Sequence, residues 1–196
     1  MQPLFDVFDW IFATDYWLRQ AIGSVRWVPL DAAMGLITYI NSWGFVWLFI
    51  GGIGAWARPS RGRGVWQMVL AMILASLLSN QVIKPIVGRE RPFTVPVAKT
   101  GVRVLGERPA GSSFPSSEAA VAVAGAIGLS RAWPAANTLA WVLAILIAFS
   151  RVYLGVHYPL DVIAGMAVGV FAGWFVTRGT TWERPIRDEE PEGAAV

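Results

Sequence analysis

Residues 132–177 read AWPAANTLAWVLAILIAFSRVYLGVHYPLDVIAGMAVGVFAGWFVT. Two apolar runs, Ala132–Ser150 and Val162–Thr177, flank a short turn that holds Arg151, His157 and Asp161. A helix that crosses the hydrocarbon core of a bilayer needs about 20 mostly apolar residues. Uncharged runs of that order recur upstream at Ala32–Ala57 and Gly64–Ile83, and Pro115–Ser130 is apolar apart from Glu118. Asn41, Ser42 and Gly44 interrupt the first run, which predicts a short segment near Leu30–Ile40 and a spanning helix near Trp43–Ala57. Leu4–Ile22 mixes aromatics with Asp6, Asp9, Asp15 and Arg19, the pattern of a helix lying along the membrane surface. The expected fold is all-α: an integral membrane helical bundle of five to six transmembrane helices with an N-terminal interfacial helix.

Composition agrees. Hydrophobic residues make up 55% and charged residues 15%, where a soluble domain carries about a quarter charged; the deficit implies an outer surface that meets lipid. Eleven tryptophans suit the membrane–water boundary. The absence of cysteine excludes a disulfide framework, and a single histidine excludes a multi-histidine metal site. No metal, cofactor or nucleic-acid partner is expected. Asp6, Asp9 and Asp15 stand where a cleavable signal needs bases. Residues 1–180 are expected to form one membrane-embedded domain. Residues 181–196 should be a disordered cytoplasmic tail, since Arg187–Val196 is acidic and rich in small residues.

Arg58, Arg61, Arg63 and Arg131 lie in short loops and mark the cytoplasmic face. Lys84–Ser113 and Arg151–Pro159 then fall on the non-cytoplasmic face of a plasma (inner) membrane. That region is also basic, with Arg89, Lys99, Arg103 and Arg108, which fits if its bases bind an anion. Gly165, Gly169 and Gly173 recur every four residues, a spacing that lets helix backbones approach closely. Tight packing inside the bundle is the favoured reading, a homodimer interface the alternative.

Three groups sit at the span ends. In the first, Lys84 and Arg91 flank a helix end that Pro85 terminates or breaks in its last turn. In the second, Pro115, Ser116, Ser117 and Glu118 open a helix whose free N–H groups can bind an anion. Serine capping and a glutamate offsetting the helix dipole would look the same. In the third, His157 lies in a turn with Asp161 four residues on, so the carboxylate can hold one imidazole proton and free the other nitrogen to attack. Together the groups present three cations, a helix N-terminus and one histidine–acid pair. That set suits phosphoryl transfer, where catalysis is mostly positioning and electrostatic stabilisation.

These residues resemble the signature of the type 2 phosphatidic acid phosphatase superfamily, which also includes vanadium-dependent haloperoxidases. The signature runs Lys, six residues, Arg-Pro; then Pro-Ser-Gly-His; then Ser-Arg, five residues, His, three residues, Asp. Lys84, Arg91 and Pro92 complete the first part, and Ser150, Arg151, His157 and Asp161 the third. The resemblance covers about Gly64–Thr177. It implies a metal-independent enzyme acting on a lipid phosphate, with membrane lipids as its surroundings. His157 would form a phosphohistidine and Asp161 would orient it. Lys84, Arg91, Ser116, Arg151 and the Ser117 N–H would hold the phosphate. Polyprenyl diphosphate is the favoured substrate, ahead of phosphatidic acid, phosphatidylglycerol phosphate and lipid A phosphate.

Glu118 departs from the family, which has at this position the histidine that protonates the leaving group. Glu118 can itself be the acid, if its surroundings raise it above the ordinary glutamate pKa of about 4.3. Alternatively the substrate is a diphosphate whose leaving group needs no proton, or the change weakens the enzyme. A lipid phosphotransferase and a non-catalytic lipid-phosphate binder are the rival readings; the haloperoxidase relatives are soluble and fit this chain poorly.

Overall fold

A computed structural model describes residues 2–25, 27–94 and 104–179, with side chains from Trp10 onward. The expected tail, Lys99 and Arg103 lie outside the described residues. Every described regular element is helical: α1 Gln2–Ser24, α2 Val28–Ile40, α3 Phe45–Ala57, α4 Gly62–Leu77, α5 Lys84–Val87, α6 Ser117–Ala132, α7 Asn137–Tyr153 and α8 Pro159–Thr177. Among these residues three helices are long and apolar enough to cross a membrane: Pro59–Val87, Pro134–Tyr153 and Pro159–Thr177. The pair α2–α3, bent by 44°, makes a fourth if it is one span. Trp56, Trp66, Ile86 and Leu139 are among many large apolar side chains left exposed, the outward face a lipid-embedded bundle needs.

The short helix α6 is the centre, packed by α4, α7 and α8. Its buried positions are almost all alanine or glycine, so three neighbours approach its backbone closely. The α8 glycines serve that approach. A Cβ on Gly165 would lie 2.2 Å from the Ser116 carbonyl oxygen, and one on Gly169 would lie 2.4 Å from that of Ala120. All three stripe glycines are buried, so the stripe is spent on packing inside the bundle.

Two breaks shape the active end. Between α2 and α3 the chain turns a corner at Asn41–Gly44, where Trp43 has φ +57° and Gly44 φ +79°. A Cβ on Gly44 would meet Met72 Cε at 2.6 Å and Val121 Cγ1 at 3.0 Å, so the corner is seated on α4 and α6. Pro85 does not end its helix. The rod continues to Val87 through a π-helical stretch, Leu78–Ile83, whose wider turn accommodates a ring that lacks a donor and crowds the preceding turn. On the N-terminal helix Asp15 and Arg19 are buried, while Trp10 and Trp17 are exposed.

Gly165→Ala should lower stability by about 1–3 kcal/mol, the cost of overpacking a filled contact. Gly52→Ala has open space around its Cβ and should change stability by no more than about 1 kcal/mol. Thermal unfolding in detergent compares the two.

Candidate active site

The ends of α5, α6 and α7 and the turn before α8 surround one cavity of about 590 Å³. Its lining includes Lys84, Arg91, Ser117, Glu118, Arg151 and His157, with Thr38, Ser42 and Trp43 from the α2–α3 corner and Glu107 from the loop before α6. Residues from all three sequence groups thus meet in one place. Ser116 does not line the cavity; it is fully buried, and its hydroxyl caps α6 by accepting from Ala119 N at 3.4 Å.

Each cation is pinned by neutral partners. Lys84 Nζ donates to Asn80 Oδ1 at 2.7 Å and to Ser117 Oγ at 3.2 Å. Arg91 donates to the carbonyls of Gly111 (2.9 Å), Val156 (3.2 Å) and Ala110 (3.3 Å). Burial and the nearby Arg151 charge pull its pKa below the ordinary arginine value. Arg151 Nη1 donates to Thr38 Oγ1 at 3.4 Å, and its buried Nε has no partner.

His157 is 2% exposed. Its Nε2 faces Arg91 Nη1 at 3.5 Å, and its Nδ1 stands 3.5 Å from Asp161 Oδ2. The second contact is longer than a full hydrogen bond and leaves Nδ1 with no closer partner. Burial, reinforced by Arg151 and Arg91, pushes the imidazole pKa down to about 4 against the opposing pull of Asp161. The ring is therefore neutral at pH 7, the form that can attack phosphorus.

Asp161 is fully buried and well served. Oδ1 accepts from Arg89 Nη1 at 2.7 Å; Oδ2 accepts from Tyr158 N at 2.8 Å and from the Ser113 hydroxyl. The Tyr158 bond caps the first turn of α8, which Pro159 opens. Arg89 also donates to Asp15 Oδ2 at 2.6 Å and lies over the Tyr158 ring at 4.1 Å. The two carboxylates hold its pKa above the ordinary value although burial works against them. Asp15 Oδ1 in turn accepts from Leu160 N at 2.8 Å, so α1 caps α8 from across the bundle.

Sequence reasoning missed Asp15 and Arg89 as parts of the site, and also Ser113, Thr38 and Asn41, whose Nδ2 donates to Glu118 Oε2 at 2.8 Å. One signal was available: an acid such as Asp15 within a helix this apolar calls for a cation, and Arg89 is a base the signature leaves unassigned. Among the described residues no cluster of three or more His, Cys, Asp or Glu could hold a metal ion.

Arg89→Met would leave two buried carboxylates uncompensated and should cost about 3–5 kcal/mol, the usual penalty for removing one partner of a buried pair. Arg89→Lys, which keeps the charge, should lose clearly less. Denaturant midpoints of the two variants measure the difference.

A family model for the PAP2 superfamily matches residues 64–185. The chain is 32% identical to a lipid A 4'-phosphatase from Bacteroides thetaiotaomicron over 82% of its own length and 67% of that relative's. It is 31% identical to an undecaprenyl-diphosphatase from Sulfolobus acidocaldarius over 69% of its length and 65% of that relative's. Its fold superposes on the crystal structure of Aquifex aeolicus LpxE with a TM-score of 0.70 at 29% identity, covering 81% of this chain and 92% of that one. The chain spans about two thirds of the length of the two named phosphatases. With the family model covering more than half of its length, the chain belongs to the PAP2 superfamily, among membrane phosphatases that act on lipid phosphates.

Proposed function

We propose that this chain hydrolyses a lipid phosphate or diphosphate, with polyprenyl diphosphate favoured, through a phosphohistidine on His157. His157 Nε2 attacks phosphorus, the N–P bond forms, and the bond to the leaving oxygen breaks. Where the leaving group is an alkoxide, Glu118 gives it a proton. Water then attacks the phosphohistidine and the N–P bond breaks, releasing phosphate. The water's proton goes to Glu118 where Glu118 gave its own to an alkoxide, and to the departing phosphate where it did not. Lys84, Arg91, Arg151 and the N-terminus of α6 stabilise the equatorial oxygens.

One observation carries this reading. A second cavity, about 650 Å³ and mostly apolar, runs between α3 and α4 along Leu48, Val69, Met72, Ile73 and Leu77. It shares Trp43, Ser117 and Glu118 with the charged cavity. A lipid with its chain in the groove and its phosphoryl group at His157 passes its scissile oxygen beside Glu118. A groove of this kind suits one polyprenyl chain. A diphosphate also leaves a lipid phosphate that is stable as an anion, so it depends least on the glutamate. The undecaprenyl substrate in the archaeal relative's name supports the same choice.

The orientation proposed is a plasma (inner) membrane protein of five to six spans with the cavity on the non-cytoplasmic side. Arg61, at the opposite end of the α4–α5 rod from Lys84, donates to the Ala132 carbonyl at the end of α6. This puts the arginine-bearing α3–α4 loop beside the end of α6 that carries Arg131, away from the cavity, as a cytoplasmic face requires.

His157→Ala should reduce turnover at least about 10³-fold, since the nucleophile is gone. Parental turnover in that variant sinks the mechanism. Glu118→Gln should lose about 10²–10⁴-fold on a lipid phosphate monoester, the range for general acid catalysis, and far less on undecaprenyl diphosphate. Because the imidazole pKa is held at about 4, kcat/KM on the diphosphate should show no acid limb near 6.5. On the monoester, rate should fall as rising pH ionises Glu118. A labelled phosphate recovered on His157 after alkaline quench identifies the intermediate, and label on a second lipid instead of in free phosphate would indicate a transferase.

A further inference from the structure

Glu118 stands among charges that favour its ionised form. The Lys84 ammonium comes from the α4–α5 rod and the Arg151 guanidinium from α7; Arg91 from the loop after α5 and the neutral His157 from the turn before α8 line the same cavity. Glu107 and Tyr39 complete the titratable lining of the cavity. The side chain bonded to the carboxylate is none of these. It is Asn41, 1% exposed, whose Nδ2 reaches Glu118 Oε2 at 2.8 Å from the α2–α3 corner.

The corner is built to hold that amide still. Asn41 closes α2, with its backbone N–H on Ile37 O at 3.1 Å, and its own carbonyl accepts from Gly44 N. Trp43 and Gly44 both take positive φ to complete the turn. The close fit of Gly44 to Met72 and Val121 fixes the corner against α4 and against α6, the helix that bears Glu118. Asn41 Oδ1 is buried with no partner. An unpaired buried acceptor carries a desolvation cost, so its presence beside the proposed proton donor calls for a use.

An amide has one property that a lysine or arginine in its place would lack. Its N–H donates to a carboxylate, and after a half-turn its oxygen accepts from a carboxylic O–H. A cation would lock Glu118 in the charged form; an apolar residue would let it swing. We propose that Asn41 is a positioning residue for proton transfer by Glu118. It keeps one carboxyl oxygen on the corner through both charge states, so that the other faces the scissile oxygen. The proposal rests on Glu118 being the proton donor, and it assigns to the α2–α3 corner a part in the chemistry as well as in lining the cavity.

The test compares Asn41→Leu and the near-isosteric Asn41→Asp with the parent on a lipid phosphate monoester and on undecaprenyl diphosphate. Each is made alone and in a Glu118→Gln background. With Glu118 poorly held, kcat on the monoester should fall about 10–100-fold, within the range of general acid catalysis, while KM stays within about twofold and the diphosphate rate hardly moves. Asn41→Asp should also shift the basic limb of the monoester profile to higher pH, because a donor that favours the carboxylate has been exchanged for a second acid. In the Glu118→Gln background the Asn41 changes should add nothing, the signature of two residues acting as one unit. Equal losses on both substrates, or full additivity with Glu118→Gln, would overturn the proposal and make Asn41 a packing residue. If Glu118→Gln alone matches the parent on the monoester, the proton-donor reading itself fails, whatever Asn41 does.

Discussion

The active end of this bundle depends on keeping one carboxylate, that of Asp161, charged and out of water. An isolated ionised carboxylate cannot stay in such a place; it must be paired and fully hydrogen-bonded. Asp161 meets that condition with donors from the loop after α5 (Arg89), the loop before α6 (Ser113) and the start of its own helix (Tyr158 N). Asp15 then balances Arg89 from α1 and takes Leu160 N. Arg89, Ser113 and Asp15 come from distant parts of the chain and reach Asp161, directly or through Arg89, only in the finished fold. The orientation of His157 is thus a product of tertiary structure, although His157 and Asp161 are only four residues apart.

The cavity beside it is organised on the opposite principle. Lys84, Arg91 and Arg151 converge on the cavity that Glu118 also lines, each hydrogen-bonded to amide, hydroxyl or carbonyl oxygens that orient but do not neutralise. Convergent cations repel, and that repulsion is relieved when a phosphoryl group enters. Donors fixed beforehand need no reorganisation as charge spreads over the equatorial oxygens, which is where electrostatic catalysis gains most. Holding the bases with neutral partners keeps their charge available; a structural carboxylate on each would have spent it.

How much of this was legible follows from which forces act locally. Apolar runs and the spacings around Lys84, Arg91, Arg151, His157 and Asp161 are written in short segments; the first four line one cavity and Asp161 sits behind His157. The glycine stripe on α8 was readable as a close-packing seam but its partner was not, since a four-residue spacing serves a bundle interior or a second copy alike; in the fold, α6 fills it. Pro85 misled in part: its effect is local, but a π-helical stretch just ahead of it let the rod continue. Asp15 looked like part of a polar face on a surface helix, since nothing nearby in sequence names Arg89 as its partner. Asn41 was read only as an interruption of an apolar run. Both depend on contacts between residues more than 70 positions apart, and such pairings leave no trace in the periodicity of either segment.

Packing and chemistry also share atoms. The Ser116 N–H donates to the Asp161 carbonyl at 2.8 Å, joining the first turns of α6 and α8 by their backbones. Gly165 permits this, since any side chain there would strike the Ser116 carbonyl. Ser117 and Glu118 follow directly on α6, so the position of the proposed proton donor relative to His157 is set by backbone contacts in place of flexible side chains. In a membrane, where lipid offers no hydrophobic drive to bring helices together, close backbone approach is one of the few devices that fixes two helix ends to within a fraction of an ångström. The same small residues that let α6 sit at the centre of the bundle thus fix the distance across which the proposed proton transfer runs.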